Sequence, residues 1–487
     1  MDKELFKNDI ITDFYYAKNP WGLNIFYFIT SFFCSPIPIT KVLPFILCAL
    51  SVFYIFRLCF FSTGLYSAII ASILFIFTSW SRKIFSVFGT GDGADFGILF
   101  FIMFLYFFTN RKFFKSSFTL ILLSLFYPPL FLICFFVYLF YFLIETVKNK
   151  KGEIKHILLL LFITSIISII LLKNYSLKDI SLISLESMKN MQEFYEGGRT
   201  PVLFPSFLKQ ITNYQSGLAM DSSLSFLLGL SIFIIIILRK KLIKLPKEYW
   251  YFITISLFFF IISNIFMYKF YGPSRFMRYS LPLFLILFIS THIAAIIRKN
   301  TASLKAQLII LCISISLIGL YFIPCLQKYY IIANQPELYN YLQTLPKNIL
   351  IAGHPSLMDN IPTFAKRKVL INEETSEPYY NNYYPIIKKR TYDFFKAYYS
   401  CSPKEIYNFC KRYNITHIIV YTPHFNGDYL KTGNFYINPF NEYINSLIPS
   451  NPKFALIRIP KSEKVFEKKD IFIVKITDNI FWQKHYL

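Results

Sequence analysis

The chain has 487 residues, of which 55% are hydrophobic, 20% aromatic and 16% charged, and its formal net charge is +24 at pH 7. Soluble domains carry about 25% charged residues, so this composition excludes a typical soluble protein and indicates a membrane protein. The sequence has no P-loop, CxxC, HExxH or serine-nucleophile elbow, which argues against soluble nucleotide chemistry. We expect membrane lipids as partners and no nucleic acid.

The N-terminal segment LFKNDIITDFYYAKNPWG, residues 5 to 22, is polar and contains Asp9 and Asp13. Residues 21 to 34 are apolar but shorter than the roughly 17 to 25 residues that a helical membrane crossing needs. We therefore predict an outer loop with an interfacial helix over residues 1 to 41.

About ten apolar segments follow that are long enough, or nearly so, to cross a membrane as helices. The fourth segment is short and ends at Tyr127-Pro128-Pro129, so a tilted or broken hairpin is an alternative there. A transmembrane domain is predicted over residues 42 to 324. The segments are 42–61, 64–80, 92–109, 116–127, 129–146, 156–172, 223–238, 249–267, 281–297 and 306–324.

Lysine and arginine gather in alternate loops between these segments, which predicts that those loops face the cytoplasm. The remaining loops and everything after Pro324 then lie outside, in a multi-pass protein of the cytoplasmic (inner) membrane of the cell envelope. An even number of spans leaves the N-terminus outside with no exporting segment before it. Either residues 21 to 34 insert or a span is missing upstream, and we favour the missing span.

The outer motif GTGDGAD, residues 89 to 95, places Asp92 and Asp95 among glycines just before an apolar segment. Acids are tolerated in translocated loops, and that explanation suffices for most of the outer acids. Paired carboxylates at a helix mouth also suit a hard divalent cation such as Mg²⁺ or Mn²⁺. This motif therefore predicts a metal site.

Arginines on the same outer side are candidates for binding phosphate. Arg275 and Arg278 in YGPSRFMRYSLPLFL are three residues apart, so they share one helical face. An interfacial anchor and a bidentate phosphate site explain them equally well. Arg199 in YEGGRTP is a second phosphate candidate, with a flexible turn as its alternative.

Residues 325 to 487 have the composition of a soluble domain. Strand-like runs occur in NILIAGHP, RKVLINEET, HIIVYTP, FALIRIP and IFIVKI, and SPKEIYNFCKRYN has a helical pattern. We predict an extracytoplasmic α/β domain. His354 and Asp359 lie in a loop after a strand, which favours a turn over a binding site, and a disulfide between Cys401 and Cys410 is left open.

An acid-bearing first outer loop, paired acids in the next one, many short apolar spans, an outer RFMRYSLP and an exported C-terminal domain together resemble the GT-C superfamily of membrane glycosyltransferases. The superfamily includes protein mannosyltransferases, lipid A aminoarabinose transferases and oligosaccharyltransferase catalytic subunits. The resemblance implies an α-helical polytopic GT-C-like fold. It also implies transfer of a sugar from a polyprenyl-phosphate donor to an extracytoplasmic acceptor.

The same resemblance implies roles for individual residues. Asp9, or Asp13 in its place, would be the catalytic acid of the first outer loop. Asp92 and Asp95 would complete a divalent-metal site, and Arg278 or Arg275 would bind the lipid phosphate. The chain lacks the WWDYG sequence of enzymes that glycosylate asparagine in sequons.

Two other classes stay open at this point. A flippase or transporter of a lipid-linked substrate would also have many spans, but no Asp, Glu, Lys or Arg lies in the middle of any predicted span, which counts against it. A non-catalytic membrane scaffold would need no convergence of the candidate residues.

Overall fold

A computed structural model describes residues 5–80, 91–147, 162, 165, 182–218, 220, 222–238, 243–266, 272–300 and 335–477. The chain forms two compact units. We call the first the sheet unit, which comprises Met1–Lys18, Asp179–Phe204 and Tyr330–Leu487. The second, the helical unit, comprises Asn19–Lys178 and Pro205–Tyr329.

Helices occupy every predicted apolar segment that falls within the described residues, and segments 156–172 and 306–324 lie almost entirely outside them. The first half of the chain forms α1 Ile10–Lys18, α2 Trp21–Thr30, α3 Pro36–Thr63, α4 Leu65–Trp80, α5 Gly93–Thr109, α6 Phe113–Phe126, α7 Pro128–Val147, α8 Leu185–Lys189, α9 Phe207–Thr212 and α10 Ser222–Leu238.

The second half of the chain carries the remaining helices and all the strands. The helices are α11 Lys247–Phe266, α12 Ser274–Met277, α13 Ser280–Asn300, α14 Pro336–Thr344, α15 Pro355–Met358, α16 Tyr384–Tyr398, α17 Pro403–Tyr413, α18 Gly427–Lys431 and α19 Phe440–Leu447. The strands are β1 Leu350–Ala352, β2 Lys368–Val369, β3 His417–Tyr421, β4 Lys464–Lys468 and β5 Ile471–Lys475.

The helical unit is built from apolar helices whose core is almost entirely aliphatic and aromatic. Within the described residues, three stretches are long and apolar enough to cross a membrane: Pro38–Thr63, Lys247–Phe266 and Ser274–Arg298. Long apolar helices with exposed phenylalanine and isoleucine faces are expected of a protein that lies in lipid. The unit is therefore the membrane part of the protein.

Basic side chains gather at one end of this helical unit. The Arg298 guanidinium lies against Gly64 at the α3–α4 turn, where a side chain on Gly64 would overlap it. At the same end, the hydroxyl oxygens of Ser62 and Tyr249 are 3.2 Å apart. The sequence predicts that this end faces the cytoplasm. Its described basic residues are Arg57, Arg111, Lys112, Lys115, Lys244, Lys247 and Arg298.

The sheet unit confirms the predicted C-terminal α/β domain. Its five strands are ordered β2-β1-β3-β5-β4, with β1 parallel to both β2 and β3, and with β5 antiparallel to β3 and β4. Alternating strands and helices favour this layered arrangement, in which helices cover an apolar sheet. β3 and β5 are buried over most of their length and form the centre of the core.

Two distant segments of the chain complete this domain. Ile11 and Phe14 of α1 are buried in the same core as the sheet. Residues 182–204 pair with it through backbone bonds, including Ile183 N to Tyr379 O at 2.8 Å and Asn438 N to Gly197 O at 2.9 Å. The folded domain is therefore assembled from three stretches of sequence.

One of the predicted strands is wrong and one strand was missed. FALIRIP is a 3₁₀ turn over Ala455–Arg458 between two prolines, and β4, Lys464–Lys468, was not predicted because three of its five residues are charged. The helix in SPKEIYNFCKRYN is confirmed as α17. Cys401 and Cys410 are both free thiols, so the disulfide left open is not formed.

Candidate functional site

The GTGDGAD motif contains the start of α5, and its two acids stabilise that start. Asp92 is the N-cap: its Oδ1 accepts hydrogen bonds from the backbone N–H of Ala94 at 2.8 Å and of Asp95 at 3.3 Å. Asp95 is fully buried, and its Oδ2 accepts the N–H of Gly91 at 2.8 Å. Asp92 remains exposed, so of the two acids it is the one accessible to a ligand.

The glycines of this motif serve helix packing. A Cβ on Gly93 would lie 2.6 Å from the carbonyl oxygen of Phe126, and one on Gly97 would lie 2.5 Å from Cβ of Tyr127. Four residues apart, these glycines bring the start of α5 directly against the end of α6. Their arrangement places Asp92 at the same end of the unit as Tyr127.

Asp92, Arg275 and Arg278 come together around a pair of tyrosines. The rings of Tyr127 and Tyr279 meet edge to face, with centroids 5.6 Å apart. Arg278 lies against the Tyr279 ring, and Gly97, on the helix that Asp92 caps, packs on Tyr127. The structure therefore brings the predicted metal ligand Asp92 and the predicted phosphate ligands Arg275 and Arg278 to one end of the helical unit. We call this end, where α5 and α13 begin, the helix mouth.

Arg278 is held in place by aromatic rings. Its guanidinium carbon is 4.2 Å from the centroid of the Tyr214 ring and 5.7 Å from that of Tyr279. Stacking of this kind fixes the plane of the guanidinium. Arg278 is half-buried and Arg275 is exposed, so Arg278 is the better oriented of the two.

Asp92 could supply one ligand for a divalent cation. Asp92 is exposed and uses only Oδ1 in capping, which suits it to bind a cation. Within the described residues, however, no group of three or more His, Cys, Asp or Glu side chains is placed to hold a metal ion. The metal role of Asp92 and Asp95 stays a prediction.

Asp9 and Asp13 belong to the sheet unit and have different surroundings. Asp9 is buried, and its Oδ2 accepts bonds from the hydroxyl of Thr12 at 2.6 Å and from the Thr12 N–H at 3.3 Å. This is the hydrogen-bonding pattern of a helix N-cap. Burial raises the pKa of Asp9, while the bonds to Thr12 and the charge of Lys368 act in the opposite direction.

Asp13 lies one turn further along α1 and is exposed. It borders a pocket of about 290 Å³, whose wall is mainly the apolar surface of α1 and the tyrosines of the facing loop. A carboxylate at the rim of an apolar pocket can meet a bound molecule, whereas the Asp9 carboxylate is engaged in capping. The lining residues are Ile10, Asp13, Phe14, Ala17, Tyr380, Asn382 and Tyr383.

Arg199 is also part of the sheet unit. Its Nε donates a hydrogen bond to the backbone oxygen of Glu373 at 3.1 Å. Glu373 follows β2, and His354 follows β1, so Arg199 lies near the carboxyl edge of the parallel strands. In open α/β sheets this edge is where ligands bind.

Buried titratable groups cluster at the same edge. The rings of His354 and His424 lie 4.4 Å apart, and burial lowers the pKa of His354 to about 3 and that of His424 to about 4. Asp359 accepts the Glu374 N–H at 2.8 Å. Burial, together with the charges of Glu373 and Glu374, raises the pKa of Asp359 to about 6. Titratable groups with shifted pKa values at such an edge are typical of functional sites as well as of cores.

The role of Glu193 could not be predicted from the sequence. This carboxylate is fully buried, forms an ion pair of 2.5 Å with Lys388, and accepts the Tyr384 hydroxyl at 3.0 Å. Its Oε2 has no hydrogen-bond partner in the described part of the chain. Through Lys388 and Tyr384, Glu193 connects residues 182–204 to α16. This segment includes Arg199.

No protein-family model and no curated protein matches the chain in sequence. Its fold is similar to that of the oligosaccharyltransferase of Archaeoglobus fulgidus. The structure of that enzyme in complex with Zn and sulfate matches with a TM-score of 0.50 and 11% identity, over 87% of this chain and 62% of that one. The apo form gives a TM-score of 0.51 and 10% identity, over 87% and 64%.

The chain therefore shares the fold of the archaeal oligosaccharyltransferase, in agreement with the fold that the resemblance implies. Identity of 10 to 11% establishes a shared fold and not a shared activity. The chain spans less than two thirds of the length of the archaeal enzyme. Its own residues have to carry the functional argument.

Proposed function

We propose that the chain is a multi-pass membrane glycosyltransferase that transfers a sugar from a polyprenyl-phosphate donor to an extracytoplasmic acceptor. One observation carries the proposal. In a chain with a GT-C-like fold, Arg275, Arg278 and the exposed Asp92 lie at the helix mouth. This mouth is opposite the lysine- and arginine-rich end of the helical unit. Because lysine and arginine favour the cytoplasmic side, this supports a location of the mouth at the outer face of the cytoplasmic membrane. A donor whose lipid lies in the bilayer and whose phosphate lies at its surface suits such a mouth.

Arg278 and Arg275 are proposed to bind the donor phosphate. The rings of Tyr214 and Tyr279 orient Arg278, and a guanidinium forms two parallel hydrogen bonds with phosphate oxygens. These bonds strengthen as the phosphate leaves with its full charge, so they stabilise the transition state more than the bound donor. Asp92, with Asp95 behind it, would hold a divalent cation, which would supply further positive charge to the leaving phosphate.

A carboxylate of α1 is proposed to handle the acceptor proton. The acceptor oxygen or nitrogen bonds to the anomeric carbon, the bond from that carbon to the phosphate oxygen breaks, and the acceptor proton passes to the carboxylate. Asp9 remains a candidate for this role. Asp13 is the stronger one, because it is exposed beside a pocket and its neighbour is committed to capping α1.

The acceptor is proposed to bind at the carboxyl edge of β1, β2 and β3. The edge combines Arg199, whose Nε is fixed on the Glu373 backbone, with the acids Asp359 and Glu373. Arg199 would bind an anionic group of a molecule held there. No WWDYG sequence is present, so sequon recognition is not part of the proposal.

The test is sugar transfer in proteoliposomes that contain polyprenyl-phosphate sugars as donors. We expect Arg278→Gln and Asp92→Asn each to lower transfer by roughly a hundredfold, and Arg278→Gln also to raise the donor KM. The exposed residues Arg412 and Asp428 provide the controls Arg412→Gln and Asp428→Asn, which should transfer normally.

Transfer by Arg278→Gln at the wild-type rate and KM would exclude the arginine role. Donor translocation across the bilayer without transfer would establish the flippase class instead. Absence of both activities with every donor would favour a scaffold.

A further inference from the structure

Arg57 is a charged residue inside α3, and aromatic rings surround it. Its guanidinium carbon lies 5.6 Å from the ring centroid of Phe53, 5.1 Å from that of Phe61 and 5.9 Å from that of Tyr106. Nη2 also donates to the Tyr106 hydroxyl at 3.4 Å. Because Phe53 and Phe61 are four residues before and after Arg57, the three side chains form one stripe along the helix.

No acid neutralises this arginine in the part of the chain that the structure describes. Arg57 takes part in none of the ion pairs found there. The sequence contains no Asp or Glu from residue 36 to 91 or from 96 to 144, which covers α3, α4, α6 and α5 beyond its first turn. Its Nε is buried and makes no hydrogen bond with any described residue. Among the described residues, the charge of Arg57 therefore has no acidic partner.

The stripe faces outward from the helical unit. Phe53 is 50% and Phe61 is 57% exposed, although both are large apolar side chains on a membrane helix. Arg57 precedes the end of α3 at Thr63 by six residues, or roughly 9 Å along the axis. At that depth the guanidinium reaches the level of lipid headgroups while its stem stays among acyl chains.

A second cation lies beside the stripe. The Lys115 ammonium is 5.7 Å from the Phe107 ring centroid, and the Phe107 ring is 5.3 Å from that of Tyr106. Lys115 is exposed at the start of α6. Two cations on adjacent rings, above an exposed apolar surface, match the charge and shape of an anionic phospholipid.

We propose that Arg57, with Lys115 beside it, binds the phosphate of an anionic phospholipid at the lysine- and arginine-rich end of the helical unit. The acyl chains lie on Phe53 and Phe61, and the headgroup phosphate is the counter-ion that the described residues do not supply. Basic sites on transmembrane helices recognise anionic lipids in this way. The proposal is independent of glycosyl transfer, because Asp92, Arg275 and Arg278, the candidate residues within the helical unit, are at its other end.

The test measures lipid retained by the purified full chain. The protein in detergent is incubated with phosphatidylglycerol or phosphatidylcholine, washed, and analysed for bound lipid by native mass spectrometry. We expect wild type to retain about fivefold more phosphatidylglycerol than phosphatidylcholine, and Arg57→Gln to lose this preference. Lys112→Gln removes one charge from the same end at an exposed residue, so it should keep the preference.

Three results would overturn the proposal. Wild type could show no preference, Arg57→Gln could keep it, or Lys112→Gln could lose it to the same extent. If Arg57→Gln does not fold, Arg57→Lys is the test variant. It retains the charge without the planar guanidinium, so it should lose at least about half of the preference for phosphatidylglycerol. Displacement of the lipid by millimolar glycerol phosphate would indicate a site for free phosphate instead.

Discussion

The ring of Phe14 stacks on the ring of Tyr383, with centroids 3.7 Å apart and planes 4° from parallel. Tyr380 meets the same Phe14 ring edge-on at 4.9 Å, and Lys18 forms an ion pair with Glu377. The helix that carries Asp9 and Asp13 is therefore packed into the sheet unit. The position of the candidate catalytic acids depends on this packing.

Replacing Phe14 should release α1 from the sheet unit. Phe14→Ala removes a buried aromatic ring, which typically lowers the free energy of unfolding by about 3 to 5 kcal/mol. We expect faster tryptic cleavage after Lys7 and Lys18, measured by limited proteolysis in detergent. Tyr15→Ala is the control, since Tyr15 is 48% exposed, and equal cleavage in the two variants would contradict the packing role.

Substitutions of Asp9 and Asp13 should differ in their effects on stability and on sugar transfer. Asp9→Ala removes the cap and should lower the free energy of unfolding by about 1 kcal/mol. Asp13→Asn should leave stability unchanged and lower sugar transfer by roughly a hundredfold. Transfer rates and thermal unfolding midpoints of both variants check this. If Asp9→Asn, which retains an oxygen for capping, loses transfer while Asp13→Asn does not, Asp9 is the acid.

The ion pair of Glu193 and Lys388 should be strongly coupled. Lys388→Met leaves a buried carboxylate without its cation and should lower the free energy of unfolding by about 3 to 5 kcal/mol. Adding Glu193→Gln removes that charge while keeping an acceptor for Tyr384, so the double variant should be more stable than Lys388→Met alone. A double-mutant cycle on unfolding midpoints measures the coupling, and additive effects would exclude it.

The stability of the sheet unit should depend on pH in two opposing ways. His354 and His424 have pKa values lowered to about 3 and about 4, so the unfolded chain takes up protons first and stability falls as pH drops below about 6.5. Asp359 has a pKa raised to about 6, so its ionised form is unfavourable in the folded state, and protonation there regains stability as pH falls below 6.

Asp359→Asn isolates the acid's contribution. The amide oxygen can still accept the Glu374 N–H, and the repelled charge is gone, so we expect a gain of roughly 1 to 2 kcal/mol in the free energy of unfolding at pH 7. The gain should vanish near pH 4. Unfolding midpoints of variant and wild type from pH 4 to 8 provide the measurement, and a gain that is constant with pH would show that charge is not its cause.

Helices and strands that have a strong local sequence pattern could be predicted from the sequence. The apolar helices, β3 and β5 could be located from continuous apolar runs, and α17 from its helical pattern. β4 escaped detection because an edge strand needs only one apolar side, and three of its five residues are charged although Phe466 packs on the core. FALIRIP has the composition of a strand, but its flanking prolines remove backbone donors.

Long-range relationships could not be predicted in this way. Nothing near Phe14 in the sequence specifies Tyr383 as its partner, and nothing near Glu193 specifies Lys388. For the helix mouth, the sequence predicted that Asp92, Arg275 and Arg278 lie on the same outer side of the membrane. The packing of Gly93 and Gly97 on α6, which brings Asp92 toward Tyr127, could only be seen in the structure.

The three-part construction of the sheet unit has a consequence for biosynthesis. α1 leaves the ribosome roughly 300 residues before the strands that cover it. At about 5 to 20 residues per second, its apolar face waits roughly 15 to 60 s for its partner. During that interval Ile11 and Phe14 are available to chaperones or to the bilayer surface, and a nascent chain arrested before β1 would leave them uncovered.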